Sequence, residues 1–394
     1  MKDFLPLLIL LMLLAALLRE EAVLTVFYLV GGVYLAGYLW TKTVMRRLKF
    51  DRVFTNRVFL NETVPIRLRI KNLGWLPVIW LQTHESLPVG LGVTKPLRSA
   101  LSIASHGHAD IEYQVYARKR GYYQIGPLYL RSGDFLGLGG DQERVVDSDS
   151  LIVYPKIIPL TRIALPSRSP LGNIKHPQPV FEDPSRLLGK RDYQVGDSQR
   201  RIDWKSSASS GKLQVKQFDS SISLETAIFL NLDTQDYDLR SRYDSVELAI
   251  VVAASIATWI TNQKQAVGLY ANGIDPFETQ QVTRPVRCSK GRGHLMRILD
   301  TLARVQAGKT TPFIELLHQE SPRLSWGTTQ VLITSQVEDP IFEQLFQARR
   351  FGLNPLLVQV GPHPGLQGFR QKSEQFHIPY FQVHFEDDLD MWRK

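Results

Sequence analysis

Apolar and polar positions follow three different rhythms along this chain. Phe4–Leu18 is almost wholly apolar, the charged triplet Arg19-Glu20-Glu21 interrupts it, and Ala22–Trp40 is a second apolar run. The second run matches the roughly 20 residues a helix needs to cross a bilayer, while the first is shorter and holds Pro6 near its start. Together they predict a membrane helical hairpin over residues 1–49. A cleaved signal peptide fits less well, because only Lys2 precedes the apolar run and a second long run follows at once. The basic flank Lys42, Arg46, Arg47 and Lys49 after the second run predicts that both termini and the soluble mass face the cytoplasm.

From Phe50 to about Leu160 the pattern becomes one of alternation. Val64–Lys71, Val78–Thr83, Asp110–Ala117 and Tyr122–Leu130 read as strands separated by Gly, Pro, Asn and Ser turns, which predicts an antiparallel β-sandwich over 50–160. His106 and His108 stand two apart with Gly107 between them, a spacing that suits a polar loop better than a pair of metal ligands. Residues 161–188 carry Pro166, Pro170, Pro177, Pro179 and Pro184 and read as an extended connector.

Beyond residue 219 the period lengthens. Strands are predicted at Thr226–Asp233, Ala266–Ala271, Thr329–Thr334, Pro355–Val360 and Tyr380–Phe385. Helices are predicted at Asp244–Asn262, Gly293–Gln306, Pro312–Gln319 and Pro340–Arg350. Strands alternating with helices predict a largely parallel sheet covered on both faces, an α/β domain over 220–394. Val246–Ile260 is apolar enough to suggest a third span, but Glu247 lies within it, and a core helix is the expectation.

Between these regions, residues 189–219 form a charged segment. Lys190, Arg191, Asp192, Asp197, Arg200, Arg201, Asp203 and Lys205 crowd around Tyr193, Ile202 and Trp204. A turn at Gly196-Asp197, a helix from about Ser198 to Ala208 capped by Ser198 or Asp197, and a strand Leu213–Phe218 are expected. On such a helix Arg200, Asp203 and Ser207 share one face, with Trp204 packed on a neighbouring domain. Asp197 and Asp203 offer carboxylates to Arg191, Arg200 and Arg201, while Lys212 and Lys216 extend a basic face. The segment reads as a structural clasp or a docking surface.

Composition narrows the chemistry. A charged fraction of 22% and an aromatic fraction of 10% are those of a globular protein. The formal charge of +9 suits an anionic membrane face. Nucleic acid is not expected, because many positives flank the apolar runs and no aromatic-basic repeat appears. The single cysteine, Cys288, excludes an intramolecular disulfide or a cysteine-based zinc cluster. Gly211-Lys212 lacks the first glycine and the Ser/Thr of a phosphate loop, occupied here by Ser206 and Leu213. Neither a nucleophile elbow nor a His-Glu-x-x-His helix is present. Asp233, Asp236 and Asp238, at the carboxyl end of the first α/β strand, stand where a hard cation such as Mg²⁺ could bind.

Arg191-Asp192-Tyr193-x-x-Gly196-Asp197-Ser198-x-Arg200-x-Ile202-Asp203-Trp204-Lys205-x-Ser207-Ala208, followed by Gly211-Lys212-Leu213-x-Val215-Lys216, resembles the hallmark segment of the bacterial and archaeal family termed domain of unknown function fifty-eight. Arg120-Gly121-x-Tyr123-x-Ile125-Gly126-Pro127, Asp134-Phe135-x-Gly137-Leu138 and Val153-Tyr154-Pro155 are similar to that family's preceding β region. The resemblance implies a membrane-anchored protein with a von Willebrand factor type A-like (Rossmann-like) α/β domain and a MoxR-type AAA+ ATPase as partner. It implies no established catalytic activity. Von Willebrand type metal sites use Asp-x-Ser-x-Ser; here Asp233 is kept, but Gln235 and Tyr237 replace the serines, and Mg²⁺ becomes a weak expectation. The function expected is a scaffold or adaptor that binds protein partners in assembly or maturation of envelope or other complexes, not an enzyme. The alternative is a hydrolase of envelope precursors built on Asp197, Asp203 and Lys205.

Overall fold

The computed structural model describes residues 5–18, 21–93, 97–134, 141–161, 174–175, 187–194, 197–218, 221–222, 225–278, 283–336, 339–362 and 366–392. They divide into two units, Met1–Pro155 and Lys156–Lys394.

The first unit opens with α1 (Leu5–Leu18) and α2 (Glu21–Arg47), which contact each other. Eleven strands follow: β1 (Leu48–Val53), β2 (Arg57–Phe59), β3 (Thr63–Asn72), β4 (Val78–Glu85), β5 (Leu91–Val93), β6 (Arg98–Ile103), β7 (His108–Ala117), β8 (Gly121–Ile125), β9 (Leu128–Ser132), β10 (Gln142–Val146) and β11 (Asp149–Tyr154). They form sheets ordered β1-β3-β7-β5, β10-β9-β4-β6 and β2-β11-β8. Val64, Ile66, Leu68 and Ile70 alternate inward along β3, so one face of the first sheet meets both of the others. The opposite face carries cross-strand ion pairs, Arg67 with Glu112 at 2.7 Å and Arg69 with Asp110 at 2.9 Å. The single strand expected over Tyr122–Leu130 is two strands, because Pro127 has no amide hydrogen to give to a ladder.

Helix α2 runs directly into β1. Val44 and Met45 of its last turn are buried beside Leu68, Ile70 and Leu81. Arg144 donates to the Met45 and Leu48 carbonyls at 3.1 and 3.0 Å, satisfying acceptors that a helix end leaves open.

In the second unit, β12 (Ile174–Lys175) pairs with β15 (Ser221–Ile222), and β13 (Leu187–Asp192) pairs with β14 (Gln214–Phe218), enclosing α3 (Trp204–Ser210). A six-stranded sheet follows. Its elements in chain order are β16 (Glu225–Leu230), α4 (Arg242–Asn262), β17 (Ala266–Ala271), β18 (Val286–Ser289), α5 (Arg292–Arg304), α6 (Phe313–Glu320), β19 (Thr329–Thr334), α7 (Asp339–Arg350), β20 (Asn354–Val360), α8 (Leu366–Phe376) and β21 (Tyr380–Val383). The spatial order is β18-β17-β16-β19-β20-β21, parallel except for the edge strand β18. This is the doubly wound order 3-2-1-4-5-6. Helix α4 lies across β16, β17, β19 and β20, while α6 and α7 cover the other face around Phe229, Leu332 and Phe342. Strand β18 and helix α8 have no counterpart in the sequence reading. Val286–Ser289 is too short and too polar to signal a strand, and Leu366–Phe376 has few apolar positions.

Candidate functional site

The charged segment folds as an antiparallel hairpin with a helix set into its turn. Pairing places Lys190 opposite Lys216, Arg191 opposite Val215 and Asp192 opposite Gln214. Two lysines facing each other across a ladder repel. Asp203 offsets this: its Oδ2 lies 2.9 Å from Lys190 Nζ, and Lys216 also acts on it electrostatically.

Asp203 also begins the helix. Its Oδ1 accepts from the Ser206 amide at 3.2 Å, so the N-cap is Asp203 and α3 starts at Trp204. The expected cap, Ser198, makes no side-chain capping bond and precedes only a 3₁₀ turn, Gln199–Arg201. The expected shared face of Arg200, Asp203 and Ser207 is therefore absent, since the helix begins after Asp203. Ser207 instead bridges helix and strand, donating to the Asp203 carbonyl at 2.8 Å and accepting from the Gln214 amide at 2.9 Å. Gly211 closes the helix in the left-handed region at φ 70°, a conformation a side chain would strain.

The second ion pair is bidentate. Arg191 donates to Asp197 through Nη1 at 2.7 Å and Nη2 at 2.6 Å, and Asp197 also accepts from the Gln194 amide at 2.9 Å. Asp192 accepts from the Gln214 side chain, and the Tyr193 amide donates to the Leu213 carbonyl at 2.8 Å. Gly196 and the Arg200 side chain lie outside the described residues.

The Arg191 guanidinium and the Gln194 amide hold the Asp197 carboxyl below the usual carboxylate range. Lys190 and the Ser206 amide do the same for Asp203. Both are therefore ionised near neutrality and poor proton donors.

Trp204 is not packed away. It is 68% exposed, at the start of α3 beside the exposed Lys205. Arg201, Lys212 and Lys216 are exposed as well; Lys212 sits in the turn before β14 rather than on the strand. Recognition of an anionic surface around an aromatic anchor is what this arrangement can do chemically.

The second candidate is the carboxyl end of the parallel sheet, where the order reverses between β16 and β19. Asn231 and Asn272, which sequence reasoning missed, organise it. Asn231 Nδ2 donates to Asp236 at 2.6 Å and to Thr334 Oγ1 at 3.0 Å, and its Oδ1 accepts from the Asp233 amide and from Asn272. Asn272 accepts from the Leu232 amide at 2.6 Å and donates to the Thr311 carbonyl at 3.0 Å. Asp233 accepts from the Gln235 amide at 3.0 Å, capping a 3₁₀ turn. Tyr237, at one of the positions where serine is expected, is buried; its hydroxyl donates to the Asn231 carbonyl at 2.6 Å, and burial pushes its pKa up. Among the described residues no group of three or more His, Cys, Asp or Glu side chains converges in a metal-ligand arrangement. The asparagines carried no signal in isolation, because only their meeting across two strand ends gives them a role.

Comparison with known proteins bears on these residues. Residues 189–353, beginning at the charged hairpin, match the family described as "Protein of unknown function DUF58". The chain is 25% identical over 288 residues to the uncharacterized protein YeaD of Bacillus subtilis, covering 71% of this chain and 67% of that protein. Likeness to solved structures is slight. An aerotolerance-related membrane protein of Bacteroides fragilis matches with a TM-score of 0.29 and 13% identity, covering 43% of this chain and 95% of that one. The cupredoxin domain of amoB from Nitrosocaldus yellowstonii matches with a TM-score of 0.20 and 12% identity, covering 27% and 87%.

Proposed function

We propose that this protein is a membrane-anchored scaffold or adaptor whose soluble units bind a protein partner, a MoxR-type AAA+ ATPase, from the cytoplasmic side of a multi-pass anchor. The observation that carries this reading is the clasp around Trp204. Both of its central carboxylates are held ionised by basic neighbours, while a large aromatic side chain and a set of cations face solvent. Aromatic anchors ringed by polar groups dominate binding energy at protein interfaces.

The anchor is supported by α2, which is long and apolar enough to cross a bilayer. Its last turn is built into the sandwich core, and Lys42, Arg46 and Arg47 stand at that end. A von Willebrand type A-like reading of the second unit is supported by the strand order and by Asp233 at the end of β16. In that reading the Asn231–Asn272 network stands in place of a cation. Gln235 and Tyr237 supply no small hydroxyl ligand, so the residues do not fit the Mg²⁺ site. The hydrolase alternative draws no support from Asp197, Asp203 and Lys205, since a general acid needs a raised carboxyl pKa and these are lowered.

The test is capture of a purified MoxR-type ATPase by the full chain in detergent. Trp204→Ala and a Lys205→Glu/Lys212→Glu double variant should each weaken capture by roughly thirtyfold, the size of an interface hot spot. Capture that is unchanged in both variants, with melting temperatures intact, sinks the docking role of the clasp. No capture by the wild type sinks the choice of partner.

A further inference from the structure

We propose that the groove between helix α5 and the edge strand β18 binds a phosphate monoester through Arg287, Arg297 and His294. This inference is independent of the partner reading. The groove is a cleft of about 610 Å³, within the range of small-ligand sites. Among the described residues strand β18 pairs with β17 alone, at the edge of the sheet. His294, Arg297, Thr301 and Arg304 recur on one face of α5, and all four line the cleft.

Its charges are unevenly committed. Arg284 pairs with Glu278 at 2.8 Å and Arg304 with Asp275 at 3.3 Å. Arg287 and Arg297 line the same cleft and join no ion pair among the described residues. With Asp300 included, four arginines stand against three carboxylates. Guanidinium forks match phosphate oxygens in a bidentate geometry.

His294 is the second, independent pointer to a ligand. It is 5% exposed, and its Nε2 lies 2.8 Å from the Val267 carbonyl, so that nitrogen carries the proton and donates. Its Nδ1 is then an acceptor, buried and without a hydrogen-bond partner, although His294 lines the cleft. A buried polar atom left so is costly, and a ligand that brings a proton to it removes the cost. A phosphate monoester, with a second pKa of about 6, is mostly dianionic at neutrality, but its monoanion, which carries such a proton, lies within about one pH unit and can be drawn out by an acceptor. Sulfate, fully ionised, has no such proton. Gly291, at φ 103°, precedes α5 with no side-chain cap, leaving the positive end of the helix beside this histidine. The Cys288 thiol also lines the cleft, but burial pushes its pKa up to about 12, so the site serves binding without a thiolate nucleophile.

Isothermal titration of the full chain in phosphatidylcholine nanodiscs with glycerol 3-phosphate, inorganic phosphate and inorganic sulfate tests this. Saturable binding of both phosphates is expected, with sulfate about tenfold weaker or more. Arg287→Ala and Arg297→Ala, both at exposed positions, should each weaken phosphate by roughly ten- to hundredfold with the melting temperature unchanged. His294→Phe should erase the preference for phosphate over sulfate. The arginine variants decide the matter if that histidine variant fails to fold. Phosphatidic acid in the nanodisc competing with glycerol 3-phosphate would assign the site to a lipid headgroup, and no competition would assign it to a soluble ester; either outcome supports the phosphomonoester. Absence of saturable binding to the wild type, equal affinity for sulfate, or unaltered binding in both arginine variants overturns it.

Discussion

Helices α2 and α4 are both long and apolar enough to cross a membrane, yet the fold treats them in opposite ways. None of the most apolar stretch of α2 is buried by the rest of the chain, whereas 72% of that of α4 is. Helix α4 lies over four strands of the parallel sheet, with Ala249, Ile250, Ala253, Ile256 and Ile260 fully enclosed. Of α2 it is the carboxyl-terminal end, with Trp40, Val44 and Met45, that packs into a core. Apolar length alone therefore does not identify a membrane segment; the number of neighbouring elements able to cover it does.

A charge placed in each helix breaks the comparison most sharply. Ile256→Asp in α4 buries an unpaired carboxylate and should cost about 4 kcal/mol or more, enough to unfold the second unit in thermal melts. Leu29→Asp in α2 should leave the melting of both units unchanged and lower the membrane-bound fraction after cell fractionation. If the two substitutions act alike on melting, the division of labour between the helices is wrong.

Shortening the chain sharpens it further. A chain starting at Gly37 keeps Trp40, Val44, Met45 and Leu48 in the core of the first unit, and should unfold in denaturant like the full chain. One starting at Lys49 loses all four, the last three of them buried. Each of those three is worth roughly 1.5–3 kcal/mol, so the first unit should become marginal or fail to fold. Equal midpoints for the two would mean that α2 contributes nothing to the core.

The smallest effects lie in the clasp, where charge rather than apolar surface is at issue. Asp203→Ala removes a helix cap and the partner of Lys190, and should loosen the helix locally, seen as faster amide exchange in α3 at constant pH. Asp197 and Asp203 have folded pKa values below their unfolded ones, so the unfolded state binds more protons in that range. The stability they confer is complete above the unfolded value, about 3.9, and declines as pH falls toward the lowered folded values. Protection of the β13 and β14 amides, measured against the intrinsic exchange rate at each pH, should thus fall below about pH 4 and stay flat between about pH 5 and 7. Protection independent of pH over the acidic range would contradict the ion-pair account.

Much of the fold was legible in the rhythm of the chain. Ala266–Ala271 and Thr329–Thr334 match β17 and β19 residue for residue, because continuous apolar runs bounded by turn signals have few other solutions. The charged segment announced the Arg191–Asp197 pair, since both residues lie close together in sequence. Its helix start was misplaced by six residues: Ser198 and Asp203 are equally good caps in composition, and only the pairing of Asp203 with the Gln214 carbonyl chooses between them. Trp204 was expected to be covered because large aromatics usually are.

The order of residues alone settles local matters: which stretches are apolar, with what period, and which charges can meet within a few residues. Long-range matters are settled by packing. It covered α4 and left the most apolar stretch of α2 bare. It brought Asn231 and Asn272 together across neighbouring strands, and placed Arg287 and a buried His294 on one cleft. The physical reason is that burial and hydrogen-bond satisfaction belong to pairs of elements, and a side chain's environment is unknown until its neighbours across the sheet are in place.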